Sequence, residues 1–283
     1  MSSELCKNIL PHSRIDMTDL IWEGGPRRPV TPFILTTLAG LSTGLGGVIA
    51  ALFRPTPRLL AFCGGFAGAV MVTVSLADLA PSVMEFYGQS LSPLGCGFAV
   101  TGLLLGGMLT ALFLGKALPG EETLAARFGS RAQGAAMRTA LVTGAALLLH
   151  NLPEGILTLV SGVADPSMGA RTALAIALHN IPEGLAVAVP FSCATGSRGK
   201  GAAAALTSGL AEPAGALLAW LFLRNFVTPG LLNGIVALVA GIMLWVAADQ
   251  LLPTAFEADN RKTGVVGFAF GTLVMILGIA ALN

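Results

Sequence analysis

The sequence predicts an all-α membrane protein of eight transmembrane helices, with inverted internal repeats and helices kinked at proline in spans four, five and six. Three observations predict it. Hydrophobic residues make up 54% of the chain and charged residues 11%, with a mean hydropathy of +0.78, far outside the range of a soluble domain. Apolar stretches long enough to cross roughly 30 Å of hydrocarbon recur along the chain. Two pairs of segments inside those stretches resemble each other.

Residues 1–32 form a polar N-terminal tail, without the apolar core of a secretory signal. The transmembrane domain covers residues 33–282, with spans at about 33–53, 59–84, 94–116, 139–163, 171–193, 201–226, 229–256 and 263–282. One connection is long, a predicted cytoplasmic loop at about 117–137, and it carries most of the loop charge. The 36 glycines suit helices that approach closely without a hydrophobic force between them, and Gly64 and Gly68 form one small-residue pair of this kind. Such packing also admits a homodimer.

An even number of spans puts both termini on one side. With the termini outside, the inner segments hold Arg54, Arg58, Lys116, Arg127, Arg131, Arg138, Arg198, Lys200, Arg261 and Lys262. The outer ones hold Arg171, Arg224 and the tail's Lys7, Arg14, Arg27 and Arg28. The excess inside favours that orientation, in the cell (plasma or inner) membrane.

A net charge of +1 and no long basic run exclude a nucleic-acid surface. Cys6, Cys63, Cys96 and Cys193 are dispersed, so neither a disulfide framework nor a thiolate metal site is indicated. His12 lies in the tail, apart from the other two histidines.

LHNLPEG at 149–155 in span four recurs as LHNIPEG at 178–184 in span five. Consecutive spans run in opposite directions, so a direct repeat in sequence becomes an inverted pair in space, the arrangement that places a transporter's binding site between repeats. Span two carries Met71, Pro81 and Glu85, and span seven carries Met243, Pro253 and Glu257 at the same relative spacings.

His150 and Glu154 are one helical turn apart and share a face, with Asn151 bordering it; His179, Asn180 and Glu183 repeat the pattern, and span six adds Glu212. All lie near the middle of their spans. A carboxylate at that depth costs about 2.5–3.5 kcal/mol on insertion scales, and a bound dication would compensate it. Imidazole nitrogens and carboxylate oxygens together suit Zn²⁺ and tolerate Fe²⁺, Mn²⁺, Co²⁺ or Cd²⁺. Pro153, Pro182 and Pro213 lack the N–H that would bond the carbonyls of Leu149, Leu178 and Gly209, which loosens each helix at the polar cluster.

HNLPEG, HNIPEG and SGLAEPAGA (208–216) resemble the signature segments of the ZIP (Zrt/Irt-like) divalent metal transporters, over residues 33–282. The resemblance implies a binuclear site. One metal is expected on His150, Glu154, His179 and Glu183, and a second on Asn151, Asn180, Glu212 and the two bridging glutamates. The long loop between spans three and four is often histidine-rich in that family, and here it has no histidine.

Met71, Ser75, Asp78 and Glu85 on span two, and Asp249, Gln250, Glu257 and Asp259 on span seven, are read as vestibule residues that concentrate cations, or as ordinary interfacial charges. The expected activity is transport of divalent transition-metal ions toward the cytoplasm, with the metal as substrate, the lipid bilayer as surroundings and no organic cofactor. The alternative is a membrane di-metal enzyme, since bridging glutamates also build hydrolytic and oxidative centres. Against it, there is no H-E-x-x-H, and the order is His-x-x-x-Glu.

Overall fold

The computed structural model describes residues 30–54, 56–223 and 228–282. Cys6, His12, the tail's four cations and Arg224 lie outside the described residues. Among the described residues, eight helices are long and apolar enough to cross a membrane: α1 (Val30–Leu52), α2 (Pro57–Gly88), α3 (Pro93–Ala117), α5 (Arg131–Ala164), α6 (Pro166–Thr195), α7 (Arg198–Phe222), α8 (Pro229–Ala255) and α9 (Arg261–Leu282). The ninth, α4 (Glu121–Phe128), is short and falls inside the long connection. The chain is a multi-pass membrane protein.

Four spans start with the same local device. Thr56, Ser92, Asp165 and Thr228 each precede a proline, and each side chain accepts a hydrogen bond from the backbone N–H three residues on. The cap satisfies a donor that helix geometry leaves orphaned, while proline at the first helical position gives up an N–H with no partner anyway. Asp165 alone therefore turns α5 into α6. At the other end of α6, Gly196 takes φ +66°, the left-handed region a helix stop favours.

The helices sort into two groups by packing. In one, α1 lies along α6, α5 along α6, and α7 against α1, α5 and α6. In the other, α2 pairs with α9 and α3 with α8. Contacts of α2 with α6 and of α8 with α5 join the groups. The predicted small-residue pair on α2 faces α8: a Cβ on Gly64 would touch Leu251 O, and one on Gly68 would touch Leu252. α3 and α9 are the least buried spans, and α3 shows Leu94, Phe98, Leu105, Leu109 and Phe113 outward, the face a helix offers to lipid.

The weaker repeat has a counterpart in local geometry. α2 opens into a π-helical turn at Ser75–Leu79 and α8 into another at Ala247–Leu251, the same number of residues after Met71 and Met243 and the same number before Pro81 and Pro253. Proline removes the donor for the carbonyl four residues back and crowds it, and widening to i→i−5 bonding relieves the clash. A hydroxyl follows each proline and bonds a carbonyl four residues back: Ser82 Oγ to Asp78 O at 2.8 Å and Thr254 Oγ1 to Gln250 O at 3.0 Å.

Prolines 153 and 182 lie inside α5 and α6, which continue helical past them. α7 is interrupted at Leu210, between Arg198–Gly209 and Ala211–Leu218, directly after the Gly209 carbonyl that Pro213 leaves without its donor. The connection read as running to 137 is shorter than that, because α5 begins at Arg131. Arg138 on α5 donates to Pro119 O at 3.0 Å and to Gly115 O at 3.3 Å, capping the last turn of α3.

Candidate metal centre

The seven midspan residues come together where α1, α5, α6 and α7 meet. His150, Asn151, His179, Asn180, Glu183 and Glu212 are buried to within 5% exposure, and Glu154 is 8% exposed. Glycine makes the convergence sterically available: a Cβ on Gly155 would overlap Glu212 O, and a Cβ on Gly184 would overlap Thr43 O. The glycine after each motif glutamate thus lets a neighbouring backbone lie directly against it.

The two motifs are crossed. His150 Nε2 bonds Glu183 Oε2 at 3.1 Å, and His179 Nε2 bonds Glu154 Oε1 at 3.1 Å. Each imidazole of one helix is engaged by the carboxylate of the other. The asparagines reach sideways: Asn151 Nδ2 donates to Ser208 O at 3.1 Å, and Asn180 Nδ2 donates to Ala39 O at 3.0 Å and also to Glu212 Oε1. Ala39 and its neighbours on α1 had no place in the sequence-level site. Among the described residues, no three His, Cys, Asp or Glu side chains converge as a finished ion site; the imidazoles are instead held one to one by carboxylates.

What remains in this cluster is the Nδ1 atom of each imidazole, of His150 and of His179, and a set of acceptor oxygens. Glu154 Oε2, Glu183 Oε1, Glu212 Oε2, Asn151 Oδ1 and Asn180 Oδ1 are buried and meet no donor among the described residues. A buried acceptor without a donor costs free energy, and oxygens from three helices at one depth form a set that a cation satisfies without further hydrogen-bond donors.

The flanking residues divide between the two π-turn helices. Met71 and Met243 are fully buried in one core cluster between the helix groups. Ser75, also fully buried, opens the π turn of α2, and Asp78, half-buried, lies within that turn. Glu85 is half-buried near the end of α2. On α8, buried Gln250 donates to exposed Asp249 at 2.6 Å, while Glu257 and Asp259 are exposed beyond its last turn.

Eight helices long and apolar enough to cross a membrane, packed around a buried cluster of histidines, glutamates and asparagines, have the build of a membrane metal-ion transporter. Residues 123–282 match the family model described as ZIP Zinc transporter. The chain is 39% identical over 255 residues to the zinc transporter ZupT of Corynebacterium efficiens, covering 87% of this chain and 95% of that one. It is 36% identical over 254 residues to ZupT of Streptococcus mutans (88% and 96%), and 40% identical over 255 residues to ZupT of Salmonella heidelberg (90% and 98%). The chain belongs to the ZIP zinc transporter family.

Proposed function

We propose that the chain carries divalent metal ions, zinc foremost, across a cell membrane toward the cytoplasm, by way of the cluster on α5, α6 and α7. Fe²⁺, Mn²⁺, Co²⁺ and Cd²⁺ are compatible with the same donors. One ion is assigned to His150, Glu154, His179 and Glu183, a second to Asn151, Asn180, Glu212 and the same two glutamates as bridges. The observation that carries this reading is the set of buried carboxylate and amide oxygens left without donors beside two crossed imidazole–carboxylate pairs.

The crossed pairs suit a transient site. Each motif glutamate is held by a histidine of the opposite motif. An arriving dication breaks two hydrogen bonds and gains imidazole nitrogen and carboxylate oxygen together. The absence of thiolate among these ligands keeps the site from holding zinc too tightly to release it. Both termini are assigned to the outside, with α4 and its connection in the cytoplasm, by the distribution of lysine and arginine. Met71, Ser75, Asp78 and Glu85 on α2, and Asp249 and Glu257 on α8, are assigned to the approaches, where negative charge and a thioether attract the ion.

The deciding experiment is Zn²⁺ flux into proteoliposomes. Glu183→Ala, which removes a ligand from both assigned positions, is expected to abolish flux while the protein stays folded, with a lowered melting temperature because His150 loses its partner. Flux at the level of the parent protein would take Glu183 out of the pathway.

A further inference from the structure

A pseudo-two-fold relation passes through the cluster and assigns a counterpart to each of its parts. Gly40 on α1 and Gly209 on α7 lie at its centre, because a Cβ added at either would overlap the carbonyl oxygen of the other. Around that contact each approach is made twice. Asn180 Nδ2 donates to Ala39 O as Asn151 Nδ2 donates to Ser208 O. Gly184 lies against Thr43 O as Gly155 lies against Glu212 O, and Gly46 against Ile181 O as Gly215 against Leu152 O. The sequences agree: Ala39-Gly40-Leu41-Ser42-Thr43 followed by Gly46 runs parallel to Ser208-Gly209-Leu210-Ala211-Glu212 followed by Gly215. Glu212, the one carboxylate outside the doubled motif, thereby has Thr43 as its counterpart.

Thr43 brings a buried hydroxyl to that position. It is fully buried, and its Oγ1 meets no hydrogen-bond partner among the described residues. Thr36 and Thr37 on the same helix turn their hydroxyls to the carbonyl four residues back, at 2.9 Å to Pro32 O and 2.7 Å to Phe33 O; the buried Thr143, Thr158 and Thr172 hydroxyls also meet no partner among the described residues, so what sets Thr43 apart is its place opposite Glu212. The carbonyl open to Thr43 in that way is Ala39 O, which already accepts from Asn180 Nδ2 and, at 2.6 Å, from Ser42 Oγ. The helix ladder adds the Thr43 backbone N–H, so three donors already crowd that carbonyl and it offers no place for the Thr43 hydroxyl. Thr43 Cβ borders Gly209 as Glu212 Cβ borders Gly40, so the two side chains leave their backbones at matched places beside the central contact.

We infer that Thr43 is a further residue of the ion pathway, a neutral oxygen donor to the divalent cation at the position where the other half supplies the Glu212 carboxylate. The inference rests on the reading of the His/Glu/Asn cluster as the ion's site. It also gives the asymmetry a physical reason. A second carboxylate at Thr43 would put a fourth negative charge into one apolar depth, raising the insertion penalty and tightening the grip on a dication that must leave. A hydroxyl adds an oxygen ligand without that charge, and it favours harder ions such as Mn²⁺ relative to Zn²⁺.

The test compares Thr43→Val, Thr43→Ala and Thr43→Ser with the parent protein, reading Zn²⁺ and Mn²⁺ uptake in proteoliposomes and equilibrium Zn²⁺ binding to the purified protein. Thr43→Val and Thr43→Ala are expected to raise the KM for Zn²⁺ and weaken equilibrium binding about 3- to 10-fold, the worth of one lost hydrogen-bond-strength contact, and to lower Mn²⁺ uptake more than Zn²⁺ uptake. Thr43→Ser, which keeps the hydroxyl, is expected to stay close to the parent protein. Should Thr43→Val not be recovered folded, the Ala and Ser variants still decide, since they leave similar space and differ by the hydroxyl. Parent-like KM, binding and metal preference in the variants lacking the hydroxyl would overturn the inference. Glu183→Ala is run alongside: loss of flux there with parent-like behaviour of the Thr43 variants sinks this inference alone, whereas retained flux in Glu183→Ala sinks the site on which it rests.

Discussion

His150 and Glu183 are bonded to each other across two helices, as are His179 and Glu154, so neither member of a pair is removed without stranding the other in a buried setting. Taking one partner from a buried pair typically costs about 3–5 kcal/mol, much of it the desolvation of the group left behind. His150→Ala is therefore expected to lower the melting temperature of the metal-free protein in detergent clearly. The double variant His150→Ala/Glu183→Ala is expected to cost less than the sum of the two single changes, with a coupling of about 0.5–3 kcal/mol. Strict additivity would show that the pair is not formed. The same groups set the response to pH: imidazole and carboxylate bind metal only when deprotonated, so protons compete with the ion. Zn²⁺ affinity is expected to fall as pH is lowered from 8 to 6, and a flat or rising affinity in equilibrium binding across that range would contradict ligation by histidine. At this scale the sequence was legible. Spacing and depth alone brought together the seven polar residues that the structure gathers, because a membrane tolerates such groups at midspan only when they have somewhere to go.

Helices α5 and α6 carry their motifs, but glycines decide how near the neighbouring helices come. A Cβ at Gly155 would overlap the carbonyl oxygen of Glu212, backbone against backbone with no flexible side chain to give way. Gly155→Ala is expected to cost about 1–3 kcal/mol, the usual range for overpacking, and to reduce flux by pushing α7 and its Glu212 away. A methyl group on Gly102 of α3 would meet no atom within 4 Å, so Gly102→Ala is the matched control. It is expected to leave both melting temperature and flux at the parent level; an equal loss in both variants would show that helix glycine content, and not contact, is what matters. The elements were less legible than the residues. Hydropathy located the spans but not their ends: α5 begins at Arg131 rather than near 139, and a helix of its own occupies Glu121–Phe128, because polar first turns outside the hydrocarbon leave no apolar signal. The π turns at Ser75–Leu79 and Ala247–Leu251 were invisible for a different reason. Their prolines could be read, but whether a proline widens a helix or passes through it, as at Pro153 and Pro182, depends on what packs beside it.

The whole molecule is built on one symmetry, and only part of it stood out in the sequence. The doubled HNxPEG motif showed the α5–α6 half, and the methionine, proline and glutamate matches hinted at α2 and α8. The relation between α1 and α7 was present as GLSTxxG against GLAExxG, yet a Thr-for-Glu exchange disguised it until the backbone contacts of Gly40 and Gly209 made it plain. Extended to packing, the relation pairs α1–α6 with α7–α5 and α2–α9 with α8–α3. An inverted repeat makes the two faces of the bundle alike in architecture, so shape alone does not orient the protein, and the proposed orientation rests on charge. Arg127, Arg131 and Arg138 cluster around α4, on the face that also bears Arg54, Arg58, Arg198, Lys200, Arg261 and Lys262, and an excess of cations stays on the cytoplasmic side during insertion. Glu122 on α4 is exposed, whereas Cys63 and Cys96 are buried and Cys193 is partly so. In cells expressing Glu122→Cys, a membrane-impermeant maleimide is expected to add no labelling over the parent protein from outside, and to add it in inside-out vesicles. Labelling of intact cells would reverse the orientation, and with it the direction in which the ion is released.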